Sequence, residues 1–314
     1  MRTAASAQLA GAVVAHGAQR GASVRDDLRV AAENPEIVSL RARLVEGAAI
    51  VALGAVDGLT ARIAERAGVE ALYHGGYALA AHQFGVPDVG LVGRAEVVES
   101  VRRMRAATSL PIVVDADTGY GNESGVWLTV RELEAVGANA IQIEDQVAPK
   151  RCGHMEGKEV IPRDEMVLKV RAAVAARRSD ETVIVARTDA LQVTGLDDAI
   201  DRCNAYAEAG ADLLFVDAPR TREEYETIAA RCSAPCLANM TETGRSPSIP
   251  TPELEEMGYR VIIFPSTQTW LFTRAYTELA QAVARDRSTA ALLDRFAGFD
   301  EVNELLGLSE WTSR

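Results

Sequence analysis

Cysteine is scarce in this sequence. The four present, Cys152, Cys203, Cys232 and Cys236, are too few and too scattered along 314 residues for a disulfide framework, so a reducing compartment fits best. Histidine also numbers only four, with no cluster at zinc-ligand spacing. Positive charge is in deficit: 33 Lys and Arg stand against 45 Asp and Glu, a net charge of −12. Such a field repels polyanions and excludes nucleic acid and acidic membrane surfaces as partners, and an anionic substrate would need a locally positive pocket. No apolar run approaches the roughly 20 residues of a membrane span. The N-terminal alanine-rich stretch is interrupted by Gln8 and several glycines and makes a poor secretory h-region, so a cytoplasmic location is expected.

What is present is the balance of a globular enzyme, 48% hydrophobic and 25% charged. Apolar runs of strand length begin at Ala48, Ala71, Pro111, Ala140, Thr182, Ala211, Pro235 and Arg260. Segments of helical period separate them, as at 95–107, 126–136, 164–177, 196–209 and 271–283. Several runs are solidly apolar, as parallel strands covered on both faces require. Glycines in the AGV, VGA and AGA repeats (Gly68, Gly137, Gly210) precede strands where a left-handed turn ends a helix. The fold class is therefore α/β: a (β/α)8 barrel over residues 36–285, with an N-terminal extension (1–35) and a helical tail (286–314) expected to pack on a neighbouring element or subunit.

Barrel active sites form at the C-terminal ends of the strands. There the sequence places Asp115 and Asp117, Glu144 and Asp145, Arg187 and Asp189, Asp217, and Asn239 and Thr241. So many carboxylates at one mouth resist joint ionisation unless a cation offsets them. An all-oxygen donor set favours Mg2+, or Mn2+, over zinc. Strand alternation lets Asp115 and Asp117 point to one side. After the fourth strand, Lys150, Arg151, His154 and Lys158 surround Cys152, and cationic neighbours draw a thiol towards proton exchange near neutrality. Cys203, Cys232 and Cys236 read as packing residues.

The sequence KRCGH at 150–154, preceded by DADTGYG and an IED strand end, resembles the isocitrate lyase and phosphoenolpyruvate mutase superfamily, and within it the lyase branch. The similarity runs from about Glu36 to Ala284 and includes GVPD, ARTDA and LANMTE. The resemblance implies a barrel whose eighth helix is exchanged between paired subunits of a homotetramer, with Mg2+ at the mouth. It implies Asp117 as main metal ligand, Asp115 also at the metal, Glu144 holding coordinated water, and Asp88 nearby. Cys152 would be the acid/base, with Lys150, Gly153 and His154 around it. Arg187 and Asn239 would bind a substrate carboxylate, with Asp217 and Thr241 beside them. Tyr73, Gly75, Gly76 and Tyr77 would line the oxo-acid end.

The activity so implied is cleavage of a carbon–carbon bond in a 2-hydroxy di- or tricarboxylate, giving pyruvate or glyoxylate and a second acid. Methylisocitrate-like and dimethylmalate-like acids are the main substrate candidates and isocitrate the third. Many members carry serine where Gly75 stands, and methylisocitrate lyases carry glutamate where Asp217 stands, so the substrate stays open. Oxaloacetate hydrolysis on the same scaffold is the alternative. Phosphonopyruvate chemistry, whose enzymes lack the cysteine loop, and a non-catalytic binding role are less expected.

Overall fold

The computed structural model describes residues 39–312 apart from residues 48, 154 and 156. The expected N-terminal extension lies outside them. Eight strands form at the eight apolar runs: β1 Ile50–Gly54, β2 Ala71–His74, β3 Ile112–Asp115, β4 Ala140–Glu144, β5 Val183–Thr188, β6 Leu213–Val216, β7 Cys236–Asn239 and β8 Tyr259–Phe264. Each pairs in parallel with the next, and β8 returns to β1 to close the barrel.

Alternation along each strand divides the apolar residues between two cores. Val113, Ala140, Val183, Val185, Leu213, Phe215, Leu237 and Val261 belong to the cluster filling the barrel interior. Their neighbours Val114, Ile141, Ile143, Ile184, Leu214, Ala238 and Ile262 pack against the surrounding helices. Leu40 and Leu44, on the helix Leu40–Glu46, join the interior cluster, and Arg41 donates to Thr182 O just before β5, so this helix stops the N-terminal end of the barrel.

Four helices begin and end close to the expected segments: Arg94–Arg105, Glu123–Ala135, Arg163–Ala176 and Leu196–Glu208. Three more, Gly58–Arg66, Arg222–Arg231 and Thr251–Met257, are short and bury only one or two residues each. Gly68, Gly137 and Gly210 all take positive φ, as the repeats before the strands require. The helix after β8 spans Thr267–Asp286, longer than the expected 271–283, and buries only Thr269 and Ala282. Leu271, Phe272, Tyr276 and Val283 on it are exposed, as are Phe299 and Trp311 in the short helices of the tail. Among the described residues no helix is long and apolar enough to cross a membrane.

Candidate active site

The alternation that fills the barrel with apolar side chains also places the site. Continuing the inward positions of β3 beyond Val113 reaches Asp115 and Asp117; β4 continues from Ala140 through Gln142 to Glu144; β5 continues from Val185 to Arg187 and Asp189; β6 continues from Phe215 to Asp217. Register then sets neighbours side by side, Asp115 opposite Gln142 and Glu144 opposite Arg187. Asp145 has the opposite parity. The sequence reading put it at the mouth, but it turns towards the helices, where it accepts from Thr188 Oγ1 at 2.7 Å, Tyr206 OH at 2.8 Å and the Asp189 amide at 3.0 Å. Its role is to tie β4 and β5 to the helix carrying Tyr206.

At the mouth the carboxylates fall into two linked groups. Lys150 Nζ lies 2.7 Å from Asp88 and 2.8 Å from Asp117. Asp115 accepts from Gln142 Nε2 and from the Asp117 amide, both at 3.1 Å, and Tyr73 OH donates to Gln142 Oε1 at 3.0 Å. In the second group Arg187 makes a two-pronged contact with Asp189, at 2.9 and 3.0 Å, and reaches Asp217 at 3.1 Å and Glu144 at 3.2 Å. Lys158 Nζ bonds Asp189 Oδ1 at 2.7 Å and the Gly153 carbonyl at 2.5 Å. Thr241 Oγ1 donates to Asn239 Oδ1 at 2.8 Å, leaving the donor end of the amide for a ligand. Asp117 holds φ at 48°, a left-handed conformation that aspartate tolerates better than most residues.

Burial is the leading influence on these groups. It pushes the Asp117 carboxyl up to about 7; Lys150 draws it down while Asp115 and Asp88 push it further up. Glu144 is raised by burial in the same way, against the pull of Arg187. Burial opposes the charge on Lys150, but Asp117, Asp115, Glu144 and Asp88 outweigh it and keep the amine protonated. Six carboxylates (Asp88, Asp115, Asp117, Glu144, Asp189, Asp217) thus share three cations (Lys150, Lys158, Arg187). Glu144 Oε1 and Asp217 Oδ1 are buried with no hydrogen-bond donor, and Asp117 Oδ1 has only the Lys150 ammonium beside it.

These observations test the fit of a divalent cation. Surplus negative charge, the orphaned Glu144 Oε1 and oxygen-only donors suit Mg2+ or Mn2+. Among the described residues no group of three or more His, Cys, Asp or Glu side chains forms a ready-made cage. Mg2+ commonly needs only one or two protein carboxylates, completing its shell with water and substrate, so the residues fit.

The loop after β4 folds over this mouth. An antiparallel bridge between Gln146 and Val160 closes its base, and the Gln146 side chain bonds both the amide and the carbonyl of Arg151 at 2.9 Å. The Cys152 amide donates to Asp88 O at 3.2 Å, so the half-buried cysteine is held at the rim. Gly153 sits against Asp217 and Arg187, where a β-carbon would overlap Asp217 Oδ2 and stand 2.5 Å from Arg187 Nη2. Gly76 also lies close to this cluster: a β-carbon there would stand 3.2 Å from Asp117 Oδ1 and 3.4 Å from Lys150 Nζ. Lys150 and Lys158, expected around the thiol, are both also engaged by carboxylates. His154 lies outside the described residues.

The cavity beneath the loop measures about 190 Å3, below the 300–1,000 Å3 of ordinary small-molecule clefts, and suits a small acid. It is lined by Tyr73, Gly75, Gly76, Tyr77, Asp88, Asp115, Lys150, Cys152, Gly153, Arg187, Asp217, Asn239 and Thr241, all candidates from the sequence. Asp117 and Glu144 join through Lys150 and Arg187. Sequence reasoning missed Met155, Thr243, Gly244, Pro265, Ser266 and Trp270 in the lining. It also gave no site role to Gln142, and it placed Asp189 at the mouth and Lys158 beside Cys152 without pairing them. Parity along β4 would have found Gln142; no pattern marks Trp270. The remaining cysteines form their own group elsewhere: Cys203 and Cys236 are buried and Cys232 is half-buried, all packed within the helix-facing core.

A closed parallel barrel with an acidic, cation-ready mouth under a cysteine loop defines a class of enzymes acting on small oxygen-rich anions. The phosphoenolpyruvate phosphomutase family model matches residues 40–285, and this chain belongs to that family, within the PEP mutase/isocitrate lyase superfamily. It is 42% identical over 261 residues to the 2,3-dimethylmalate lyase of Eubacterium barkeri, covering 83% of this chain and 90% of that one. It is 40% identical over 282 residues to a 2-methylisocitrate lyase of Aeropyrum pernix, covering 90% of each. A crystal structure of 2,3-dimethylmalate lyase superposes with a TM-score of 0.83 at 36% identity, over 88% of this chain and 93% of that one. An oxaloacetate acetylhydrolase bound to 3,3-difluorooxalacetate gives 0.80 at 32% identity, over 88% and 94%.

Proposed function

We propose that this protein is a cytoplasmic, Mg2+-dependent carbon–carbon lyase that splits a 2-hydroxy acid carrying two or three carboxylates into pyruvate, or glyoxylate, and a second carboxylic acid. The observation that carries the reading is the Cys152 loop seated over a mouth where Asp115, Asp117 and Glu144 meet Lys150 and Arg187.

Asp117 and Asp115 would hold the cation, Glu144 would hold its water, and Mn2+ would serve in place of Mg2+. A bound cation would lower the pKa of the substrate hydroxyl beside the first carboxylate. The glycine backbone at Gly75 and Gly76 approaches the same place and supplies amide donors to that carboxylate. Arg187, fixed by three acids, and the donor end of Asn239 receive the other carboxylate. The hydroxyl proton passes to Glu144, whose Oε1 has no other partner; as the hydroxyl-bearing carbon becomes the carbonyl of the oxo acid, its bond to the next carbon breaks and the electron pair stays on that carbon, spread into the carboxylate. Lys150 and Arg187 offset the charge in a site shielded from water. Cys152 Sγ gives its proton to the carbanion, completing the second acid. His154 would stand beside Cys152. The apolar, exposed face of helix Thr267–Asp286 supports a homo-oligomer, a tetramer built from helix-exchanging pairs.

The test is release of pyruvate or glyoxylate from 2,3-dimethylmalate, 2-methylisocitrate or isocitrate with Mg2+, lost both in Cys152→Ser and after chelation of the metal. Structural similarity to oxaloacetate acetylhydrolase favours a second reading, hydrolysis of oxaloacetate. Acetate and oxalate formed from oxaloacetate, with no cleavage of the hydroxy acids, would select it.

A further inference from the structure

The two hydroxy acids named for this chain's relatives share a 2-hydroxy-2-methyl head and a carboxylate on C3. They differ in the branch at C3, methyl in one and carboxymethyl in the other. What distinguishes them is therefore a third negative charge, and the cavity can be searched for a group to receive it.

Among the described residues lining the cavity the only cations are Lys150 and Arg187. Lys150 is shared by Asp88 and Asp117, and Arg187 by Glu144, Asp189 and Asp217, while its guanidinium also lies 5.2 Å over the Phe215 ring. In the lyase reading Arg187 receives the C3 carboxylate that both acids share and Lys150 stays with its two acids, so no lining cation is left for a third carboxylate, and the mouth already holds more carboxylates than cations. At the start of helix Thr267–Asp286, Trp270 contributes to the lining and packs on Tyr77, with ring centroids 5.3 Å apart at 50°. Trp270 Nε1 is buried without a hydrogen-bond partner, so this wall offers one neutral donor and two aromatic surfaces. An alkyl branch can be buried there; a carboxylate would be desolvated with no countercharge.

We propose that Trp270 sets the substrate choice, selecting a 2-hydroxy dicarboxylate with an uncharged alkyl branch and rejecting the same acid with a carboxylate on that branch. The inference rests on the lyase reading above and goes further by assigning the discrimination to one side chain. It predicts that wild-type kcat/KM for 2,3-dimethylmalate exceeds that for 2-methylisocitrate by about tenfold or more. Trp270→Arg should cut that ratio by a similar factor, through a fall for the dicarboxylate and a gain for the tricarboxylate, and Trp270→Phe should keep the wild-type preference. A wild-type ratio at or below one overturns the proposal whether or not the variants fold, as does an unchanged ratio in a folded Trp270→Arg protein. If neither acid is cleaved the lyase reading fails, and titration calorimetry with the same two acids and Mg2+ then decides. Tighter binding of the dicarboxylate supports the assignment to an uncharged branch, and equal or tighter binding of the tricarboxylate refutes it.

Discussion

Acid should weaken this fold through one histidine well before the bulk of its carboxylates protonate. His74 ends β2 and is fully buried, its Nε2 lying 2.9 Å from Ser100 Oγ. Gln83 Nε2 already donates to the same oxygen at 3.0 Å, so the Ser100 hydroxyl hydrogen is left for the imidazole, which accepts it in the neutral form. His74 Nδ1 is buried without a partner. Burial accordingly lowers the pKa of His74 from 6.5 to about 4. In the unfolded chain the ring titrates at its ordinary value, so between these limits the unfolded state binds more protons than the folded one. Stability is complete above about 6.5 and is lost as pH falls towards about 4. From pH 7 to pH 5 the linkage amounts to about 2 kcal/mol, a large share of an ordinary folding free energy. Glutamine in this place reaches Ser100 with the same geometry and cannot titrate. Denaturant midpoints of wild type and His74→Gln, measured every half unit across that range, should diverge as pH falls, with the variant losing less. The carboxylates cancel in the difference. Parallel curves for the two proteins would refute the reasoning.

Three further outcomes follow from the site and its supports. Gly153→Ala should lower kcat/KM by about a hundredfold or more with little change in Tm, because a β-carbon there displaces the loop from Asp217 and Arg187 while the barrel stays intact; steady-state kinetics beside a melting curve separates the two. Arg187→Ala leaves Asp189, Asp217 and Glu144 short of a buried counterion and should destabilise the protein by about 3–5 kcal/mol besides abolishing turnover, read by denaturant unfolding. Tyr206→Phe removes one of several donors to Asp145, far from the chemistry, and should cost about 1 kcal/mol of stability with kcat/KM within about twofold of wild type.

Much of this was legible in the sequence because a parallel barrel repeats one rule eight times. The eight strands form at the eight apolar runs, β8 starting one residue before its run, and the polar residues at their ends, together with Cys152 and its glycine, converge on one cavity. What was hidden had specific causes. Asp145 and Glu144 are adjacent acids, and only the register of β4 decides which faces the mouth. Trp270 belongs to a helix that buries little of itself, so no hydrophobic period marks it as a site residue. The partners of Lys150 and Lys158 come from strands distant in the chain, and pairing across such separations is fixed by closure of the barrel rather than by local spacing.

The shared parity of core and site also makes the chain sensitive to length in a way that composition is not. One residue inserted within β4 would leave every side chain in place chemically, yet send Glu144 towards the helices and Asp145 into the mouth, uncoupling the acid from Arg187 and the buttress from Tyr206 together. Substitutions at the last inward position of a strand, by contrast, leave the layers below them undisturbed. New substrates are therefore reached on this scaffold by exchanging letters at strand ends, while single-residue insertions and deletions within the strands are closed to it.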